Sequence, residues 1–164
     1  MSEIELRKLT EDDATEKYVS WLNDPEVNQY LESRFMTHTI ESTREFIRGL
    51  SANDYMFGIF LRGKHIGNIK LHVNPQHKYG DIGFLIGDKG KWGKGYATQA
   101  IRLIVEFAFK ELNLNKVWAG VYANNFGSIR ALSKAGFTQE ATLQRQYLCE
   151  GKYINGVIMG IWRE

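Results

Sequence analysis

Cysteine is nearly absent: Cys149 is the single one in 164 residues. An internal disulfide is therefore excluded, and nothing beside Cys149 has metal-ligand spacing or the setting of a catalytic thiol, so no metal is expected. Proline is almost as scarce, with Pro25 and Pro75 the only two. With no repeat or low-complexity run, the chain shows no point at which to divide, and one domain over 1–164 is expected. No apolar run approaches the roughly 20 residues of a membrane helix. Met1 to Arg7 is charged and strand-like and lacks the basic-then-apolar order of a signal peptide, which predicts a cytoplasmic protein without membrane partners. A formal net charge of +2 is too small to suggest nucleic acid as the main partner.

What is present is a soluble-protein composition, 43% hydrophobic and 24% charged, in a chain long enough to bury a core unaided. Ile4, Leu6 and Leu9 predict a first strand. Asp12 and Asp13 predict the start of a helix carrying Ala14, Tyr18, Trp21 and Leu22, which Asn23-Asp24-Pro25 ends. A short turn with Val27, Tyr30 and Leu31 follows, then a helix over Thr39 to Leu50 with Ile40, Phe46, Ile47 and Leu50 as its apolar face. Met56 to Leu61 and Ile66 to Val73 read as a hairpin joined by Arg62-Gly63-Lys64. Asp81 to Ile86 is a strand in which Gly83 suggests a bulge or close approach. The strongest helical spacing runs from Ala97 through Ile104 to Leu112. Val117 to Val121, a helix over Ser128 to Ala135 stopped by Gly136, and two strands around Glu150-Gly151-Lys152 complete the order. This predicts an α/β fold with a mixed, mostly antiparallel sheet of about seven strands and helices on both faces.

The segment Gly87 to Thr98, G-D-K-G-K-W-G-K-G-Y-A-T, sets four glycines between a strand and the best helix. Glycine lets a backbone approach a ligand closely, and the first helical turn offers unpaired N–H groups at the positive end of the dipole. Lys89, Lys91 and Lys94 add charge where a polyphosphate would lie. The same residues also read as a tight connection with solvated lysines. Gly-Lys-Ser/Thr is absent, so the segment is no Walker loop, and it lacks the setting of a dinucleotide fingerprint.

The run W-G-K-G-Y-A-T-Q-A, followed by N-x-x-S-I-R-A-L-S-K-A-G-F from Asn125 to Phe137, resembles the GNAT superfamily of N-acetyltransferases. L-Q-R-Q-Y, E-G-K-Y-I-N and the early W-L-N-D-P are similar to the RimJ/RimL branch of ribosomal-protein and small-amine acetyltransferases. The resemblance spans essentially the whole chain. It implies a sheet splayed in the middle, acetyl-CoA as cosubstrate, and a pyrophosphate held by main-chain amides from Gly93 through Lys94, Gly95 and Tyr96 to Ala97, with Thr98 beside them. Trp92 stands where the family usually has Gln or Arg, so a side-chain contact to phosphate is replaced. Asn125 is implied as a contact to the pantetheine arm, and Ser128, Arg130 and Lys134 as neighbours of the CoA. Asn125 and Ser128 also read as helix N-caps.

Transfer to an amine needs a neutral nucleophile, a polarised thioester and a thiolate that can leave. The resemblance implies that main-chain groups of Phe84, Leu85 and Ile86 hold the pantetheine, with Leu85 expected at the thioester oxygen. Asp81 is the expected base, against a reading as a solvated strand-end charge. His72 is the alternative, against a structural or exposed role. Leu132 stands where many members carry an acid tyrosine, leaving Ser133 and Tyr147 as substitutes, although a thiol of pKa about 8.5 leaves tolerably unaided.

By the resemblance, acceptor specificity falls to Tyr18–Phe35 and Tyr147–Asn155. Trp21, Asn23, Tyr30, Glu32, Arg34, Phe35, Arg145 and Tyr153 are candidates for a polar-aromatic pocket, with helix packing the other reading for Trp21 and Tyr30. A small or sugar-linked amine is favoured over a peptide N-terminus, in a monomer or homodimer. Two other readings stay open: a non-catalytic acyl-CoA-binding module and a nucleotide-phosphate binder unrelated to CoA.

Overall fold

Alternating apolar residues in short runs, punctuated by two-residue turns, assemble a seven-stranded sheet in the order β1-β2-β3-β4-β5-β7-β6. The computed structural model describes residues 2–164. Its strands are β1 (Ile4–Lys8), β2 (Asp54–Leu61), β3 (Lys64–Asn74), β4 (Tyr79–Ile86), β5 (Lys116–Tyr122), β6 (Thr138–Cys149) and β7 (Lys152–Trp162). All neighbours are antiparallel except β4 and β5, so the sheet is mixed as expected. Arg62 and Gly63 both take positive φ, 48° and 78°, and make the predicted tight hairpin between β2 and β3. Glu150 and Gly151 do the same between β6 and β7, at 49° and 76°.

Helices α1 (Glu16–Asn23), α2 (Pro25–Asn28) and α3 (Ile40–Arg48) precede β2, while α4 (Tyr96–Lys110) and α5 (Phe126–Lys134) flank β5. The two groups cover opposite faces. Ile101, Ile104, Ala108 and Leu132 join Ile69, Leu71, Ile82 and Val117 in the main core. Tyr18, Trp21 and Ile47 form a second core with Leu9, against which Met56 and Leu85 pack. No helix among the described residues is long and apolar enough to cross a membrane.

Three local expectations need correction. Asp12 and Asp13 lie in a separate 3₁₀ turn, and α1 starts later because the Thr15 hydroxyl accepts from the Tyr18 N–H and caps it. Phe46 is 49% exposed, with the Lys70 ammonium over its ring; Thr43 and Ile47 take the inward face of α3. Gly83 makes no bulge, since β3 and β4 keep register throughout.

Candidate active site

The parallel ladder between β4 and β5 lasts three pairs, from Tyr79–Lys116 to Asp81–Trp118. Beyond it β5 continues against β7, and β4 runs on against β3 alone. The splay therefore opens at Ile82. The N–H of Gly87 donates to Ile66 O at 2.8 Å, and Ile86 faces Gly67 across β3. Main-chain groups alternate along a strand, so those of Gly83 and Leu85 turn to β3 and those of Phe84 and Ile86 turn into the gap. Leu85 lines the cleft, but its main-chain amide turns to Asn68 on β3 rather than into the gap as expected, and its side chain packs against the second core. Trp92 agrees with the alternation, its indole Nε1 donating to Ile86 O at 2.7 Å.

The glycine-rich segment closes one end of this gap. Gly93 and Gly95 have φ of 71° and 84°, a region costly for other residues, and a Cβ on either would meet no protein atom within 4 Å. Gly95 is the N-cap of α4, and the first helical bond runs from Gln99 N–H to Gly95 O at 3.1 Å. The N–H groups of Tyr96, Ala97 and Thr98 thus point out of the helix end with no protein acceptor among the described residues. Such an end has the charge and the free donors that suit an anion. Of the three lysines, Lys91 lines the cleft, Lys94 is exposed outside it, and Lys89 is committed to Asp24 and Glu26 at 2.9 and 2.8 Å. The expected cluster of free cations is therefore reduced.

A cleft of about 650 Å³ follows the gap from this loop to the far strands. Phe84, Ile86, Trp92, Gly93 and Gly95 to Thr98 line one side, Asn125, Ser128, Arg130 and Lys134 the other. Asn125 Oδ1 accepts from the Ser128 N–H at 3.3 Å, so the capping role is realised at Asn125, and Ser128 sits inside α5 rather than at its cap. The end of the cleft away from the glycine-rich loop is walled by Tyr30, Glu32, Tyr122 and Tyr147. The rings of Tyr122 and Tyr147 stack with centroids 4.1 Å apart. Burial, reinforced by the bond to Glu32, pushes the Tyr122 phenol up to about 12, against the opposing Arg34. Tyr147 is also raised, by burial first and then by the Glu32 charge.

A second hollow of about 770 Å³ adjoins the cleft at Gln29, Tyr30 and Asn124. Asn23, Asn28, Arg34 and Glu150 line it too. Tyr30 OH donates to Asn124 O at 3.3 Å across the seam.

Several expected site residues lie elsewhere. Asp81 is not among the residues lining the cleft; it pairs with His72 across β3, where burial raises its pKa against the nearby His72 and Lys70. His72 is exposed, with Nδ1 2.7 Å from Asp54 Oδ1. Ser133 faces solvent, and Leu132 is fully buried in the main core. Trp21 is buried under Gly87, where a Cβ would come within 2.0 Å of the indole, so helix packing is its role. Phe35 and Tyr153 are 69% and 59% exposed, and Arg145 lies over the Tyr153 ring; none of the three lines either hollow. Tyr122 was not singled out by the sequence, in which it is one more aromatic at a strand end.

Residues 3–138 match the family model described as Acetyltransferase (GNAT) domain. The chain belongs to the GNAT acetyltransferases. It is accordingly an acetyl-CoA-dependent N-acetyltransferase, and the open seam of its sheet is the family's splay. The chain is 35% identical over 136 residues to the probable N-acetyltransferase YjcK of Bacillus subtilis (strain 168), covering 77% of this GNAT chain and 70% of that one. Its fold is that of the spermidine N-acetyltransferase from Vibrio cholerae solved with CoA and spermine, with a TM-score of 0.88, 22% identity, and 99% and 96% of the two chains covered. RimL, a ribosomal alpha-N-protein acetyltransferase solved with coenzyme A, has the same fold at a TM-score of 0.86 and 18% identity, over 99% and 95% of the chains.

Proposed function

We propose that this chain, acting as a single domain of the RimJ/RimL-like branch, moves the acetyl group of acetyl-CoA directly onto the primary amine of a small or sugar-linked acceptor. The observation that carries the reading is the continuous path from the free N–H groups of α4 to the unpaired edge of β4. A diphosphate would take the amides from Gly93 to Thr98, with Lys91, Arg130 and Lys134 supplying charge. The pantetheine arm would lie along Phe84 and Ile86 as a substitute strand, reached by Asn125 from α5. One of those β4 amides would then meet the thioester oxygen and stabilise the tetrahedral intermediate.

The amine nitrogen forms the new C–N bond, and the C–S bond breaks toward a thiolate. Tyr147 would protonate it. Its hydroxyl lies beside Gly120 on the far wall of the gap, 3.8 Å from where a Cβ on that glycine would be.

The second hollow supports a small, hydroxylated acceptor. Its lining holds one carboxylate, Glu150, and the unpartnered Oδ1 of Asn124, while the side-chain amides of Asn23, Asn28 and Gln29 donate to main-chain oxygens of the protein itself. A polycation would be better matched by several carboxylates. The test is thiol release from acetyl-CoA with and without added amines. Release that depends on an amino sugar or other small amine is expected; absence of turnover across a broad amine panel would contradict the proposal.

A further inference from the structure

Two carboxylates line the cleft, Glu26 and Glu32. Glu26 is engaged by the Lys89 ammonium at 2.8 Å. Glu32 has a neutral partner instead: its Oε1 accepts the Tyr122 hydroxyl hydrogen at 2.7 Å. A phenol has one hydrogen, and Arg34 settles where it goes, because the guanidinium donates to the Tyr122 oxygen from the other side. Arg34 is itself held by Leu31 O and Leu148 O, each at 3.0 Å. The network thus fixes one carboxylate oxygen of Glu32, and the other has no hydrogen-bond partner among the described residues. Tyr147, stacked on Tyr122, feels the Glu32 charge at this end of the cleft.

We propose that Glu32 is the carboxylate that receives the acceptor amine and takes its proton, with Tyr122 and Arg34 as positioning residues. This rests on the acetyl-transfer reading above. The proton count closes. The ammonium gives one proton to Glu32, and the freed nitrogen pair forms the C–N bond while the C–S electron pair leaves on sulfur. A second nitrogen proton reaches the thiolate through the Tyr147 hydroxyl, and Glu32 returns its own proton to solvent. The charged and titratable groups around Glu32 and along its cleft are Tyr122 and Tyr147 from the sheet, Tyr30 packed on Tyr122, Arg34 on its own segment, Lys91 and the Lys89-bound Glu26, and Arg130 and Lys134 from α5.

The experiment uses the full chain with acetyl-CoA and three probes: spermidine, glucosamine and a short unblocked peptide. With whichever amine the wild type turns over fastest, Glu32→Gln is expected to lower kcat/KM roughly a hundredfold or more, the scale of a lost general base. Acetyl-CoA affinity by calorimetry should stay within about twofold, since no phosphate contact is touched. The deficit should shrink as pH rises toward about 10, where amines shed their proton unaided. Glu32→Asp should recover part of the activity, and Tyr122→Phe should lose roughly tenfold with the same dependence on pH. A Glu32→Gln protein of wild-type activity, or one whose deficit is constant with pH, overturns the assignment of Glu32. A wild type that binds acetyl-CoA and turns over neither these three nor any member of a broad amine panel overturns the acetyl-transfer reading itself.

Discussion

The indole of Trp92 donates to the main-chain oxygen of Ile86 at 2.7 Å and so ties the glycine-rich loop to the strand edge along which the gap runs. The side chain of Trp92 is thereby spent on loop geometry. Trp92→Phe keeps an aromatic side chain, smaller by one ring, and removes the hydrogen bond. An exchange of this kind is worth about 1 kcal/mol, or roughly fivefold in affinity. Calorimetry with CoA should show that weakening, with the thermal midpoint nearly unchanged.

Gly95→Ala separates backbone strain from ligand access. The residue has φ of 84° with open space around a hypothetical Cβ. Gly63, in the β2–β3 hairpin, has φ of 78° and equal space. Each alanine should cost about 1–2 kcal/mol of stability, the penalty of a side chain in the left-handed region. Only Gly95→Ala should also weaken CoA binding by more than about tenfold, because only its methyl group would intrude on the proposed diphosphate site.

The contrast between these two glycines shows what is legible from residues alone. Arg62-Gly63 and the Gly93-to-Thr98 run carry their conformations in local chemistry, and so do the long apolar spacing of α4 and the alternation of β3. Lys89 does not: its partners Asp24 and Glu26 come from a helix more than 60 residues earlier in the chain. Tyr122 likewise acquires a role only when a turn from residues 32–35 lays Glu32 and Arg34 against it. Leu85 was expected at the thioester oxygen from the family resemblance alone. Its main-chain direction depends on the register between β3 and β4, which hydropathy does not encode.

Leu132 is fully buried in the main core, so restoring a tyrosine there should not restore an acid. Leu132→Tyr is expected to overpack the core and cost about 1–3 kcal/mol, read as a lowered urea midpoint, with no gain in kcat. Tyr147→Phe should instead lower kcat by roughly tenfold or more while CoA affinity holds, the pattern of a lost proton donor.

Asp54 should make the fold acid-sensitive. Burial alone would raise its pKa, but bonds from His72 and Ser51 and the Lys70 charge outweigh burial and hold the carboxyl well below the usual range. A carboxyl depressed in the folded state contributes stability above its unfolded pKa of about 3.9 and loses it as pH falls through the folded value. Thermal midpoints measured from pH 6 downward should therefore drop more steeply below about pH 4 in the wild type than in Asp54→Asn.

Amide NMR of the protein during titration with CoA reads the α4 mouth and the β4 edge together. The N–H signals of Gly95, Tyr96 and Ala97 should move downfield as they gain phosphate acceptors, and those of Phe84 and Ile86 should shift while Leu85, bonded to β3, stays nearly still. Saturable binding that leaves the α4 amides unmoved, with shifts confined to other surfaces, would contradict it.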